Sequence, residues 1–389
     1  MLSCLIKVGL GPALAGVAIA SAVAAKPPRQ LPTADYFNDR FTVERVLDWG
    51  SRPIWSPDSK RIVFTRDDKD PGPAYELDLR TRKVTCLTCR WGDAGRVFRI
   101  YYLPDDSFLI LGPPGLALTK DAPSATTAKP QSGASELYWM PADASRPPQS
   151  LDAPAFGEIA LDYIPGPKGE ARIAWGEFVP NMRMSIGSLV HDGASASLTN
   201  RTVAYTYPPA DPAALVTFTE TYDFLNDEHA ILFFTMEKGL PNNGMYKISL
   251  SNGRLTRMPT DGQHNETHVF PNLRYGLEES NRASDPTSPI RGMSAHPKAV
   301  TSLLLTHNGI PNAAELGERY GGRTFDLFVV DWQTGQRRRL TRVSDLGGQA
   351  HQSSTARDGK HIAFEMMAPP TGPYAGKGGL YIGAFSATK

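Results

Sequence analysis

The feature that most limits what this chain can fold into is a unit that recurs along it. WSPDSKRIVFTR (55–66) joins a tight turn, Ser56-Pro57-Asp58-Ser59, to a short strand pattern, and the hairpin YELDLRTRKVTCLT follows. In that hairpin Tyr75, Leu77 and Leu79 alternate with polar residues, the period of a half-buried strand. The same order returns in YYLPDDSFLILG with SELYWMPADASRPPQSL, and in DFLNDEHAILFFTM with GMYKISLSNGRLTRMPT. It returns again in HVFPNLRYGLEESNR with FDLFVVDWQTGQRRRLT, and in SSTARDGKHIAFEMM with GGLYIGAFS. A weaker copy, IALDYIPGPKGEARIAWGEF with MSIGSLVHDGASASLTNRTVAYT, brings the count to six.

Pro at the second turn position presets φ, and Asp, Asn or Gly accepts the tight bend. The 35 Gly and 33 Pro suit many short strands joined by such turns. A unit of about four strands cannot bury both faces alone, whereas stacking sheets radially buries them and leaves short edges. The expected fold is therefore all-β, a six-bladed β-propeller. The last copy lacks a fourth strand, and FTVERVLDWG (41–50) precedes the first copy as a lone strand. This N-terminal strand is expected to complete the last blade and close the ring. Extra residues fall at 116–134, a polar Pro/Ser/Thr-rich loop, and at 283–324, where Asn312 is placed to cap a short helix ended by Gly321.

Lys+Arg 41 against Asp+Glu 40 excludes the basic face that nucleic acid or a polybasic membrane anchor needs. The first residues, MLSCLIKVGLGPALAGVAIASAVAAKPP, have one early cation and an Ala/Gly-rich apolar run. Ala22-Val23-Ala24 offers the small residues that signal peptidase accepts. The expected organisation is a signal peptide at 1–25, a linker at 26–40 and a propeller at 41–389. That mature chain would be periplasmic or secreted, monomeric and without a transmembrane span.

With Cys4 removed, Cys86 and Cys89 remain, and an exported chain meets an oxidising compartment, so a disulfide is expected. In a straight strand residues i and i+3 lie ~10 Å apart, so the chain must turn at Leu87 and Thr88 for the bond to form. A redox pair wants a helix starting at the motif, and RWGDAGR is a poor helix start. No second Cys pair completes a zinc site. The pair reads as a structural clip.

WSPDSKRIVFTR, RDGKHIAFEM and FDLFVVDWQTGQRRRLT resemble the repeats of the TolB-like propellers, whose blades carry Ser-Pro-Asp-Gly, a strand ending in Phe and a hairpin ending in Leu-Thr. The likeness runs from Phe41 to the C-terminus and is weakest in the third copy. It implies an exported six-bladed propeller. The residues 26–39 are too short for the α/β domain that precedes the propeller in TolB, so that protein's envelope-complex role is not implied.

In a propeller the loops at one end of the innermost strands form the mouth of a central channel. The segments just ahead of the turns supply His264, Glu266 and His268, then Gln349 and His351, then Glu220 and Asp223, with Glu158, Asp162 and Arg52 in the other copies. Imidazoles and carboxylates there can hold a divalent metal, or simply line a polar channel. GQAHQSS is similar to the Gln-x-His-x-His run of oligogalacturonate lyases, propellers with a channel metal, but Ser353 stands where the second His would be. There is no Gly-x-Ser-x-Gly elbow, P-loop or dinucleotide fingerprint. Arg337-Arg338-Arg339 is a candidate patch for an acidic partner, or a charged edge strand. Two readings stay open. The first is a non-catalytic scaffold that needs no cofactor and binds a protein or cell-envelope ligand. The second is a metal-dependent polysaccharide lyase.

Overall fold

The computed structural model describes residues 34–66, 71–114, 135–162, 169–177, 183–206, 216–225, 229–237, 243–259, 264–280, 289–290, 298–307, 309–322 and 324–387. The loop 116–134 lies outside them. Among the described residues the chain is nearly all β, in five antiparallel sheets, and no helix is long and apolar enough to cross a membrane.

Strand β1 (Arg40–Arg45) is followed by a sheet of β2 (Ser51–Trp55), β3 (Arg61–Thr65), β4 (Ala74–Asp78) and β5 (Val84–Cys86). A seven-stranded sheet comes next. It comprises β6 (Arg99–Tyr102), β7 (Phe108–Gly112), β8 (Ser135–Met140), β9 (Gln149–Leu161), β10 (Glu170–Glu177), β11 (Arg183–His191) and β12 (Ala196–Thr206). A third sheet holds β13 (Val216–Leu225), β14 (Ala230–Glu237), β15 (Asn243–Ser249) and β16 (Leu255–Arg257). A fourth holds β17 (His264–Val269), β18 (Tyr275–Ser280), β19 (Asp326–Asp331) and β20 (Arg337–Arg339). In the last sheet β21 (Gln349–Thr355), β22 (His361–Met367) and β23 (Gly379–Ser386) are joined by β1, from Arg40 opposite Ser386 to Arg45 opposite Tyr381.

The turns explain why the repeat reads so clearly. Ser56 Oγ accepts from the Arg61 amide at 3.0 Å and donates to Asp58 at 2.7 Å. Asp105, Asn272 and Asp358 take backbone amides two residues on in the same way, at 3.2, 3.2 and 2.8 Å. A short side-chain acceptor that satisfies the amides of its own turn is what Asp and Asn provide.

The cores lie between successive sheets. Val63 and Ala74 pack with Ile100, Tyr102, Phe108 and Tyr138. Ala160 and Ala174 pack with Phe224, Ile231 and Phe233, while Phe270 and Leu277 pack with Ile362 and Phe364. Trp55 and Ile62 pack with Ala356 and Ala363, so the last sheet meets the first. Each fully buried aliphatic or Phe side chain contributes about 1.5–3 kcal/mol relative to exposure. The first strands also touch in order: β2 meets β6, β9 meets β13, β13 meets β17, β17 meets β21, and β21 meets β2.

Three details differ from the sequence reading. The weak third copy has no separate first strand. Instead β9 pairs with β8 through Gln149–Ala155 partners and with β10 from Phe156 to Leu161, fusing two units. The 283–324 insertion forms two helices, α1 (Lys298–His307) and α2 (Ala313–Tyr320). Asn312 precedes α2 as expected, but its side chain makes no capping hydrogen bond, because its left-handed backbone (φ 59) turns that side chain away from the first amides. Finally, the Arg337–Arg339 strand is neither a free acidic-partner patch nor a solvated edge. Arg337 pairs with buried Glu278, Arg339 with buried Asp326, and Arg338 donates to the Tyr36 carbonyl at 2.6 Å. Tyr36 is itself buried, 4.1 Å in ring centroid from Phe270, and its hydroxyl donates to the Gly359 carbonyl at 2.6 Å.

Candidate functional site

The six first strands place their side chains in two layers, two residues apart. The period of a strand predicts this once the strands are aligned. One layer holds Arg52, Arg99, Glu220, Glu266 and Gln352, with Glu158 beside Gly157. The next holds Ile54, Tyr101, Ile159, Tyr222, His268 and Ser354. All six of these line a cavity of about 40 Å³, together with Asp223 and Arg357. Five of the six first strands shift register against their neighbour. Arg52 (φ 55), Gly157 (φ 70) and Gln352 (φ 51) have left-handed backbones there. Such bulges re-aim side chains at the cost of local ladder bonds. Gly157 is also needed for space, since a Cβ on it would lie 2.6 Å from Glu220 Cγ.

Arg99 is the hub of the charged layer. Its guanidinium pairs with Glu158, lies 3.2 Å from Glu266 Oε1 and donates to Gln352 Oε1 at 3.3 Å. Glu158 and Glu266 are almost fully buried. The Tyr101 hydroxyl donates to Glu158 at 2.5 Å and accepts from the Ile159 amide at 3.3 Å, tying the second unit to the third. Three carboxylates thus face one guanidinium. Burial pushes the Glu220 carboxyl up to about 7; Arg99 opposes this, and Glu158 and Glu266 add to it. The Tyr222 hydroxyl donates to Glu220 at 3.1 Å.

The imidazoles do not form one set. His268 Nδ1 lies 3.5 Å from Asp223 Oδ2, and Asp223 also takes the Val269 amide at 2.8 Å. Burial works against charge on His268, but the bond to Asp223 and its charge outweigh that and raise its pKa. His351 Nε2 stands 3.7 Å from Glu365 Oε1. Burial, with Arg52 nearby, lowers its pKa to about 4, so it is neutral at pH 7. Gln349 begins β21 opposite Met367. His264 begins β17, and its side chain lies outside the described residues. Asp162 pairs with Arg172 at 4.0 Å, away from the Arg99 cluster. Among the described residues no group of three or more His, Cys, Asp or Glu could hold a metal ion. The carboxylates that come together already enclose a cation, the Arg99 guanidinium, so this donor set does not fit a divalent metal.

Arg99 and Tyr101 escaped the sequence reading because RIYY carries no His or carboxylate, the residue types that marked most of the other first strands. Setting SRPIW, RIYY, TETYD and NETHV in one column would have found them. Away from the axis, Cys86 and Cys89 are disulfide-bonded with Cα atoms 5.7 Å apart. Contrary to the expectation for RWGDAGR, a 3-10 turn runs over Cys89–Gly95, broken at Gly92 (φ 57). Only glycine passes readily through that conformation.

No family model and no curated protein matches the sequence. Among solved structures the chain is similar to TolB from Acinetobacter baumannii, at 10% identity and TM-score 0.47, covering 85% of this chain. It spans 65% of the length of that protein. It is also similar to an oligogalacturonate lyase in complex with manganese, at 13% identity and TM-score 0.48, covering 92% of this chain and 96% of that one. The β-propeller domain of the Trilobed protease from Pyrococcus furiosus is 10% identical over 86% of this chain and 81% of that one, with TM-score 0.40. The chain is similar to these three structures at 10–13% identity, and its own strand order and pairings define its architecture.

Proposed function

We propose that the chain is an exported, six-bladed β-propeller, closed by β1, that serves as a binding scaffold for a protein or cell-envelope ligand in the periplasm or outside the cell. One observation carries this reading: the axis is filled by the protein's own ion cluster. Arg99 uses Glu158 and Glu266, and the cavity lined by the next layer is about 40 Å³, room for ordered water but far below the several hundred Å³ of a small-molecule site. Ligand recognition then falls to the turns and loops around the axis, which a rigid scaffold holds in place. The lyase alternative needs a metal among carboxylates and imidazoles, and here Arg99 takes that place while Asp223 holds His268.

Two measurements on the purified mature chain and the living cell test the proposal. A photo-crosslinking residue at Lys60 or Lys360, on the turns that follow β2 and β21, is expected to trap one discrete partner in the cell envelope. Oligogalacturonate with added manganese is expected to give no unsaturated uronate. Stoichiometric bound metal with uronate turnover, or the absence of any adduct from both positions, overturns the scaffold reading.

A further inference from the structure

We propose that Cys86–Cys89 is a thiol–disulfide exchange site, in which an external thiolate attacks Cys89 and Cys86 is the leaving sulfur. Four observations converge on it. Cys89 is exposed whereas Cys86, opposite Tyr75 in the β4–β5 pair, is half-buried, so access selects the sulfur that is attacked. The Cys89 amide donates to Cys86 Sγ at 3.0 Å, in place to stabilise a thiolate as the S–S bond breaks. A stabilised leaving thiolate departs faster. From Arg80 to Arg96 the chain carries five cations, Arg80, Arg82, Lys83, Arg90 and Arg96, against one anion, Asp93. All five are exposed; Arg82 pairs with Glu44 at 2.5 Å and Arg96 with Asp93 at 3.8 Å, and the remaining positive surplus favours thiolates and draws anionic thiols.

The fourth observation is that the bond is not what holds its own turn. Thr88 Oγ1 accepts from the Ala74 amide at 2.9 Å and donates to the Gly95 carbonyl at 2.6 Å, and the Leu87 amide bonds Ala74 at 2.9 Å. A bridge across only two residues also removes little chain entropy compared with a disulfide that closes a long loop. In the exchange, the thiolate sulfur forms a bond to Cys89 Sγ, the Cys86–Cys89 bond breaks, and its electron pair goes to Cys86. A second thiol of the same reductant then displaces Cys89 and leaves as a disulfide. Two electrons pass to the protein, with two protons from water. A disulfide-bearing oxidant reverses the sequence.

The test is to expose the folded, oxidised chain to limiting glutathione at neutral pH, quench with acid, alkylate and map the peptide VTCLTCR by tandem mass spectrometry. Glutathione is expected on Cys89 at least tenfold over Cys86, with Cys86 as the free thiol. Arg90→Glu is expected to slow glutathione several-fold at low salt while changing the rate with uncharged 2-mercaptoethanol less than twofold. The double variant Cys86→Ser/Cys89→Ser is expected to keep its fold and melt within a few degrees of the parent. An adduct shared equally or found on Cys86, reaction only after unfolding, or collapse of the double variant overturns the proposal.

Discussion

Two buried carboxylate networks in this protein are built on opposite plans. At the end of β19, Asp326 is wholly buried and collects donors from one loop. Thr341 donates at 2.7 Å, the Val343 amide at 2.9 Å and Arg339 Nε at 3.1 Å, and Ser344 Oγ joins them. One acid has more donors than it needs. On the axis the proportions reverse, with Glu158, Glu220 and Glu266 around Arg99. Satisfied buried charge fixes a conformation, whereas burial, with two more carboxylates nearby, leaves Glu220 poised to hold a proton near neutrality. Buried polarity alone therefore does not mark a functional centre, since both networks are buried and only their ratio of donors to acceptors differs.

The contrast can be broken in four ways. Asp326→Ala strands Arg339 and the loop donors, and is expected to cost about 4–5 kcal/mol in urea unfolding. That loss should appear at pH 5 as at pH 8, because the donors stay unpaired at both. Arg99→Leu leaves three carboxylates without their cation and should cost about 3–4 kcal/mol at pH 8. At pH 5, where Glu220 can take up a proton, part of that stability should return; equal losses at the two pH values would erase the distinction between the networks.

The next test separates two opposed titrations. Glu220 has a folded pKa of about 7, above its ordinary 4.5. Its contribution to stability is full below the lower value and is lost as pH rises through the upper. His351 is depressed from 6.5 to about 4, so its contribution is present above 6.5 and lost as pH falls through 4. A shift of either size corresponds to at most about 3 kcal/mol, and between about pH 4.5 and 6.5 the two slopes oppose each other. Glu220→Gln should unmask stability that climbs with pH in that window, and His351→Asn stability that falls. Parallel profiles for the two variants would contradict these assignments. The smallest effect is expected from Tyr222→Phe, which removes a donor from Glu220 at about 1 kcal/mol and moves the neutral-pH loss of stability to higher pH.

The repeat was legible because turn acids and alternating strands are local features: Asp58, Asp105 and Asp358 act within their own turns. Glu220, Glu266, His268 and Asp223 were also found, since each stands just ahead of a recognisable turn. Their grouping was not legible. Asp223 takes His268 from the next sheet, and Arg99 reaches Glu158 three strands away in its own sheet and Glu266 in another. Bulges such as the one at Gln352 offset the columns by one residue, and pairings between distant strands leave no periodic trace in sequence. The carboxylates looked like metal ligands because their counter-ion, a single Arg in an unremarkable strand, carries no motif.

The continuous β9 has a mechanical side. Elsewhere, successive four-stranded units are joined by loops, which can open one at a time. The units on either side of β9 share one hydrogen-bonded backbone, so neither can fray without disturbing the other. The stretch from β6 to β12 is in effect one double-width sheet, and Tyr101 of β6 pins it to itself through Glu158 of β9. Local opening is therefore expected at the junctions between the other sheets rather than within β9.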